Sequence, residues 1–173
     1  MIPRRLLLLG GVGILVVGGF IVALAIGVGT PEPTVALENQ DDETHYVTAY
    51  TVPDEDAAGY LNFEVTTDDG ERQLVTYADL VWAGHYENVT LVDEGVDAQT
   101  FVVEPGETKH GVVDGWSSED VTVYVNERGS QREHVTSRTV SCGSRGQSHS
   151  FTLEESGSGG SVSCAGGFGW IFR

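Results

Sequence analysis

Leu6–Val28 constrains this chain more than any other stretch. It reads LLLLGGVGILVVGGFIVALAIGV, 23 residues without a charged or hydrogen-bonding side chain. As a helix rising ~1.5 Å per residue it reaches about 34 Å, enough to cross a ~30 Å hydrocarbon layer with some tilt. Arg4 and Arg5 precede it, and no basic residue follows until Arg72. By the positive-inside rule the N-terminus then stays in the cytoplasm and the chain beyond the span faces outward. The expected organisation is a cytoplasmic N-terminus (1–5), a single transmembrane helix (6–28), a linker (29–34) and an extracellular domain (35–173). The expected location is the cell membrane.

A secretory signal has an apolar core of ~7–15 residues followed by a small-residue cleavage site. Ala23-Leu24-Ala25 offers such a site, but the core before it is longer than that, and a retained signal-anchor fits the length better. Arg4-Arg5-Leu6-Leu7 resembles part of a twin-arginine export motif, with Pro3 where Ser or Thr is usual. Either route places the same end outside. Thr30-Pro31-Glu32-Pro33 stops the helix, since Pro cannot continue it.

Charge is the next strongest signal. The chain carries 26 acidic and nine basic residues, a net charge of −17. All 26 acids lie beyond Thr30 against seven basic residues there, which leaves −19 on the outer part. Such self-repulsion opposes compaction in dilute salt and is screened in brine, where the Debye length is ~3 Å at 1 M. It also disfavours a nucleic-acid partner, because phosphates are repelled. The acids are uneven: residues 30–120 hold 22 against two basic residues, whereas residues 121–173 hold four against five. The last third therefore either answers the acidic remainder or docks an acidic neighbour.

From Thr34 the hydrophobic period changes from helical to two. HYVTAYTV (45–52), Leu61/Phe63/Val65 and Val121/Val123/Val125 alternate as half-buried strands do. Asp68-Asp69-Gly70 and Glu104-Pro105-Gly106-Glu107 are turns. Leu80, Val81 and Trp82 form either a helical turn plugging one end or a bulged strand. His134–Cys142 is polar enough for an edge strand, and Ser156–Ser161 (SGSGGS) reads as a flexible connection. No helix is expected after the anchor. Nine or ten short strands make an all-β antiparallel sandwich.

Particular residues carry a resemblance. Leu37–Thr48 (LENQDDETHYVT) resembles the opening of immunoglobulin-like modules in haloarchaeal membrane-anchored surface proteins. Their pattern runs Asn-x-Asp-Asp-x-x-His-x-Val-Thr and leads to a Pro-Gly-Glu turn, here Pro105-Gly106-Glu107. The resemblance covers residues 35–125 and implies an immunoglobulin-like sandwich in an exported setting, without implying an activity. The acid-rich, Lys-poor composition resembles exported haloarchaeal proteins as well.

Cys142 and Cys164 are the only cysteines. Outside the cell an even pair most simply forms an intrachain disulfide, and closing that loop is worth about 3 kcal/mol. An intermolecular bridge, or zinc held by Cys142, His149 and Cys164, are the alternatives. Blue copper needs two His, a Cys and usually a Met, and the sole Met is Met1. His45, His85, His110, His134 and His149 show no ligand spacing and read as half-exposed strand residues. Asp41-Asp42, Asp54/Asp56 and Asp68-Asp69 lack the spacing of a calcium loop and read as solvated turn acids. No GxSxG elbow is present, so a Ser-His-Asp hydrolase has no sequence signature, although such triads are recognised by geometry.

Asn88-Val89-Thr90 matches an N-glycosylation acceptor. Phe168, Trp170, Ile171 and Phe172 make the chain end unusually apolar, either as a last core strand or as an interaction patch. The expectation is a non-catalytic single-pass envelope protein, without cofactor or bound metal, that presents its sandwich to another envelope or surface-layer protein. Pairing of copies is left open. The alternatives are a membrane-tethered solute- or metal-binding module and a membrane-tethered hydrolase.

Overall fold

The computed structural model describes residues 32–81, 85–117, 119–142 and 146–164. Leu6–Val28, Trp82 and the apolar end (Phe168, Trp170, Ile171, Phe172) lie outside the described residues. Among those described, no helix is long and apolar enough to cross a membrane. In chain order come β1 (Thr34–Asn39), β2 (His45–Val52), α1 (Glu55–Gly59), β3 (Asn62–Thr67), β4 (Arg72–Thr76) and α2 (Tyr77–Leu80). They are followed by β5 (Tyr86–Leu91), β6 (Asp97–Val103), β7 (Thr108–Val112), β8 (Val121–Arg128), β9 (Glu133–Val140), β10 (Gln147–Glu154) and β11 (Gly157–Cys164).

These strands form two sheets, ordered β11-β10-β1-β7 and β4-β3-β5-β9-β8-β2-β6. All neighbours are antiparallel except β1 and β10, which run parallel with Leu37 opposite Phe151. The all-β sandwich is as expected, with eleven strands among the described residues and one parallel pair. The C-terminal third, outside the resembling stretch, supplies half of the smaller sheet, β10 inside it and β11 at its edge.

β2 and β8 are buried on both faces, not one. Val121, Val123 and Val125 pack with Tyr50, Val52, Phe63 and Leu80 in one core. Tyr124, between them in sequence, belongs to a second core with Leu37, Phe101, Phe151 and Leu153. Alternation fails as a guide here because Thr122 and Tyr124 have enough apolar surface to be buried too. Leu37, Phe63 and Val123 are 0% exposed, and full burial of such a side chain contributes about 1.5–3 kcal/mol.

Two short helices are present: α1 corrects the expectation of a polar connection at Pro53–Ala58, and α2, ending at Leu80, takes the helical-turn alternative for that stretch. The polar Pro53–Ala58 segment becomes α1 because Asp54 Oδ1 accepts from Ala57 N–H at 2.7 Å, while Glu55 and Asp56 suit the positive end of the first turn. At α2, Asp79 Oδ2 accepts from Thr76 N–H at 2.9 Å, and Leu80 is driven fully into the core.

The expected edge strand at 134–142 is instead an inner one. β9 lies between β8 and β5, although β5 meets it only at Glu87↔Glu133. Its polarity is satisfied within the fold, as when Thr139 Oγ1 donates to Tyr77 Oη at 2.7 Å. The expected connection at Ser156–Ser161 lies largely in β11. Glycine is required there: a Cβ on Gly160 would lie 2.6 Å from Phe151 Cδ1.

Candidate functional site

The two stretches that carry the resemblance are bonded to each other. Asn39 ends β1 and is 1% exposed. Its backbone N–H donates to Glu107 O at 2.9 Å, and its carbonyl accepts from Gly106 N–H at 3.1 Å. Its side-chain Oδ1 accepts from Asp41 N–H at 2.9 Å, the geometry by which an Asn turns the chain after it. Its Nδ2 donates to Glu43 O at 2.8 Å and to Val103 O at 3.0 Å. Gly106, at φ +72°, supplies the backbone conformation the Pro-Gly-Glu turn needs.

Asp41 departs from the solvated-acid expectation. Its side chain is 4% exposed, whereas that of Asp42 is 95% exposed. Arg128 Nε donates to Asp41 Oδ2 at 2.8 Å and Arg128 Nη2 to Oδ1 at 3.3 Å, a two-point grip on the carboxylate. That guanidinium holds the Asp41 carboxyl well below the usual range, against the opposing effect of burial and with help from His45. His45 Nε2 lies 3.0 Å from Asp41 Oδ2, and His45 Nδ1 lies 3.0 Å from Asn126 Oδ1. Both ring nitrogens are thus engaged by the fold. The basic last third answers the acidic remainder here, with Asp42 and Glu43 also within 4.0 Å of Arg128; Glu133, from β9 in the same third, lies at 3.9 Å.

A second buried pair lies on the opposite face of β8. Glu127 is 1% exposed; Arg132 Nε donates to its Oε2 at 3.1 Å, and Val89 N–H to its Oε1 at 2.9 Å. Burial pushes the Glu127 carboxyl up, and Arg132 and the Val89 N–H pull against that. The Arg132 guanidinium also covers the Tyr46 ring at 4.1 Å. Sequence reasoning missed this pair. The available signal was position: Glu127 continues the inward series Val121, Val123, Val125.

Three of the five histidines are buried rather than half-exposed. His45 and His149 are 0% exposed and His134 4%, while His85 and His110 are exposed. His149 Nδ1 meets Tyr124 Oη at 2.6 Å and its Nε2 meets Gln147 Oε1 at 3.0 Å. Gln147 Nε2 donates onward to Cys142 O at 3.0 Å. Cys142 and Cys164 are joined in a disulfide, with Cα atoms 5.8 Å apart. The zinc grouping of Cys142, His149 and Cys164 is therefore not assembled. His134 Nε2 meets Ser137 Oγ at 2.8 Å, but its Nδ1 has no partner among the described residues, so no acid orients the ring. Burial lowers His134 and His149 to about 4.

An open cleft of about 300 Å³ lies beside Arg128, lined also by His85, Glu133, His134, Glu155 and Ser156. It mixes both charge signs, and Arg128 is already held by Asp41. Asn88 does not line it and is exposed on β5.

The family described as halobacterial Ig domain protein matches residues 1–173. Among solved structures, the chain is similar to the crystal structure of the type VI secretion (T6SS) lipoprotein TssJ1 from Pseudomonas aeruginosa. That match has 12% identity and a TM-score of 0.42, covering 79% of this chain and 99% of that one. A structure titled "Trapped Toxin" matches at 10% identity and a TM-score of 0.27, covering 78% of this chain and 23% of that one. No curated protein matches the sequence.

Proposed function

The chain belongs to the halobacterial Ig domain proteins, and from that premise we propose a non-catalytic, single-pass envelope protein. Leu6–Val28 anchors it, the N-terminus stays in the cytoplasm, and the acidic sandwich contacts another envelope or surface-layer protein. One observation carries the non-catalytic part: the buried carboxylates and His149 are bonded to the fold. Asp41 is held by Arg128 and His45, Glu127 by Arg132 and a strand N–H, and His149 by Tyr124 and Gln147. Side chains committed this way shape a surface and leave little chemistry for a substrate.

Affinity capture of the full chain from membranes kept in molar salt tests the contact. Recovery of the same envelope protein in replicate captures is expected, and repeated recovery of the chain alone overturns it. Protease added to intact cells tests orientation. Cleavage of the sandwich without lysis is expected; protection until lysis reverses the topology.

The cleft beside Arg128 favours a second reading, a tethered module for a small polar solute. A rise in melting temperature with one class of small solute, abolished by Glu133→Ala, would favour it over protein contact.

A further inference from the structure

We propose that Asn88 is a glycan acceptor, held out for modification where β5 parts from its neighbours. The tripeptide Asn88-Val89-Thr90 alone is a short pattern; its placement is what makes it a site. Asn88 and Thr90 are exposed, while Val89 between them is 6% exposed and packs in the first core. The strand thus fixes the acceptor by its middle residue and presents amide and hydroxyl to solvent.

Backbone bonds lock that presentation. Asn88 N–H donates to Arg132 O at 2.9 Å, and Val89 N–H donates to Glu127 Oε1 at 2.9 Å. The β8–β9 turn region and its buried ion pair therefore hold two successive N–H groups of the acceptor. Around it the ladder is broken. The β3–β5 register passes from Glu64↔Thr90 to Thr66↔Glu87, which leaves Asn88 and Val89 in the irregularity, and β5 meets β9 only at Glu87. Asn88 has φ +53°, and no side chain among the described residues engages its amide.

The competing explanation is that Asn88 serves the backbone, because Asn tolerates the left-handed region better than most residues. That explanation gives Thr90 no part. Its hydroxyl is on the surface and donates only to Asn88 O, at 3.4 Å.

In the modification, Asn88 Nδ2 bonds to the anomeric carbon of a phosphate-activated oligosaccharide. The anomeric C–O bond breaks, the phosphate leaves with its electron pair, and the amide gives up one proton. A membrane-bound transferase of the host supplies the catalysis. The proposal rests on the outward topology proposed above.

The test is peptide mass spectrometry across Asn88, on the full chain made in a halophilic archaeal host. Wild type and Thr90→Ser should carry a sugar mass on Asn88. Thr90→Ala and Asn88→Gly should lose it at least tenfold; Gly accepts the same φ and Thr90 is exposed with one long bond, so folding is kept in both. An unmodified Asn88 in a chain cleaved by external protease overturns the site and leaves the topology standing. A chain protected from that protease overturns the topology and the proposal with it. A sugar retained in Thr90→Ala also overturns it.

Discussion

The backbone N–H of Gly106 donates to the carbonyl of Asn39 at 3.1 Å, so the two segments that carry the resemblance close on each other at one end of the sandwich. β1 belongs to the smaller sheet and β2 to the larger, and the chain crosses between them in the residues Asn39 organises. The motif is a clasp between layers.

Replacing Asn39 tests the clasp. Asn39→Ala leaves the buried Val103 carbonyl without its Nδ2 donor and the Asp41 N–H without Oδ1. An orphaned buried group costs about 1–3 kcal/mol, so a loss of roughly 2–4 kcal/mol is expected in chemical denaturation. Asn39→Asp should be no better, because a carboxylate cannot donate to the two carbonyls that Nδ2 serves. A loss under about 0.5 kcal/mol, the range of an ordinary surface change, would remove the clasp from the argument.

Asp41 gives the clasp an acid limit. Its carboxyl is held low chiefly by Arg128, so its folded-state pKa lies below the unfolded value of ~3.9. A depressed carboxylate contributes stability that is fully present above the unfolded pKa and is lost as pH falls below it. Asp41→Asn should therefore destabilise the protein at pH 7 by about 3 kcal/mol, as breaking a buried pair does. The difference from wild type should narrow below pH 4. A difference that stays constant down to pH 2 would contradict this origin.

How much of this was legible beforehand depended on where each residue's partner lay. Leu61, Phe63 and Val65 share a core as their spacing implied, and Gly70 and Gly106 take positive φ in the turns their neighbours announced. Those signals are local. Asp41 and Asp42 are identical neighbours in sequence, and their fates part because Arg128, 87 residues away, reaches only one closely. Glu127 falls in Asn126–Ser130, which reads as a turn, and is instead a buried strand residue fixed by Arg132 and by β5. β11 resembled a linker because its glycines carry no hydrophobic pattern, yet one of them, Gly160, lets the strand lie against Phe151.

The buried histidines predict a second pH window, separate from that of Asp41. Burial lowers His134 and His149 to about 4, from an unfolded value near ~6.5. The unfolded state then takes up protons first as the solution is acidified, so stability is complete above about pH 6.5 and declines toward pH 4. Each site should cost roughly 2 kcal/mol between pH 6.5 and 5, at ~1.4 kcal/mol per unit. His149→Gln should flatten that slope, even if it lowers stability at pH 7 by breaking the Tyr124 bond. An unchanged slope would show that His149 is not buried neutral.

The disulfide predicts a loss seen only on reduction. Cys142 and Cys164 are 22 residues apart, and opening such a loop should cost about 3 kcal/mol. The paired variant Cys142→Ser/Cys164→Ser should match reduced wild type in denaturation midpoint. A variant as stable as oxidised wild type would mean the bridge contributes nothing.

Salt should separate the two partners of the clasp. Arg128 is the cation among Asp41, Asp42, Glu43 and Glu133, all within 4.0 Å. Removing it as Arg128→Met leaves four carboxylates crowded at one end of a chain of net charge −17. Their repulsion reaches ~10 Å at 0.1 M salt and ~3 Å at 1 M. Arg128→Met should therefore be far less stable than Asp41→Asn in 0.2 M NaCl, with the gap closing in 3 M NaCl. Wild type should itself melt higher in 3 M than in 0.2 M, because the remaining acids repel in the same way. The lost bond at 2.8 Å is too short for ions to screen, so Asp41→Asn should keep its deficit relative to wild type at both salt levels. If the two variants responded to salt in parallel, the acids around Arg128 would not be interacting through it, and the clasp would be held by hydrogen bonds alone.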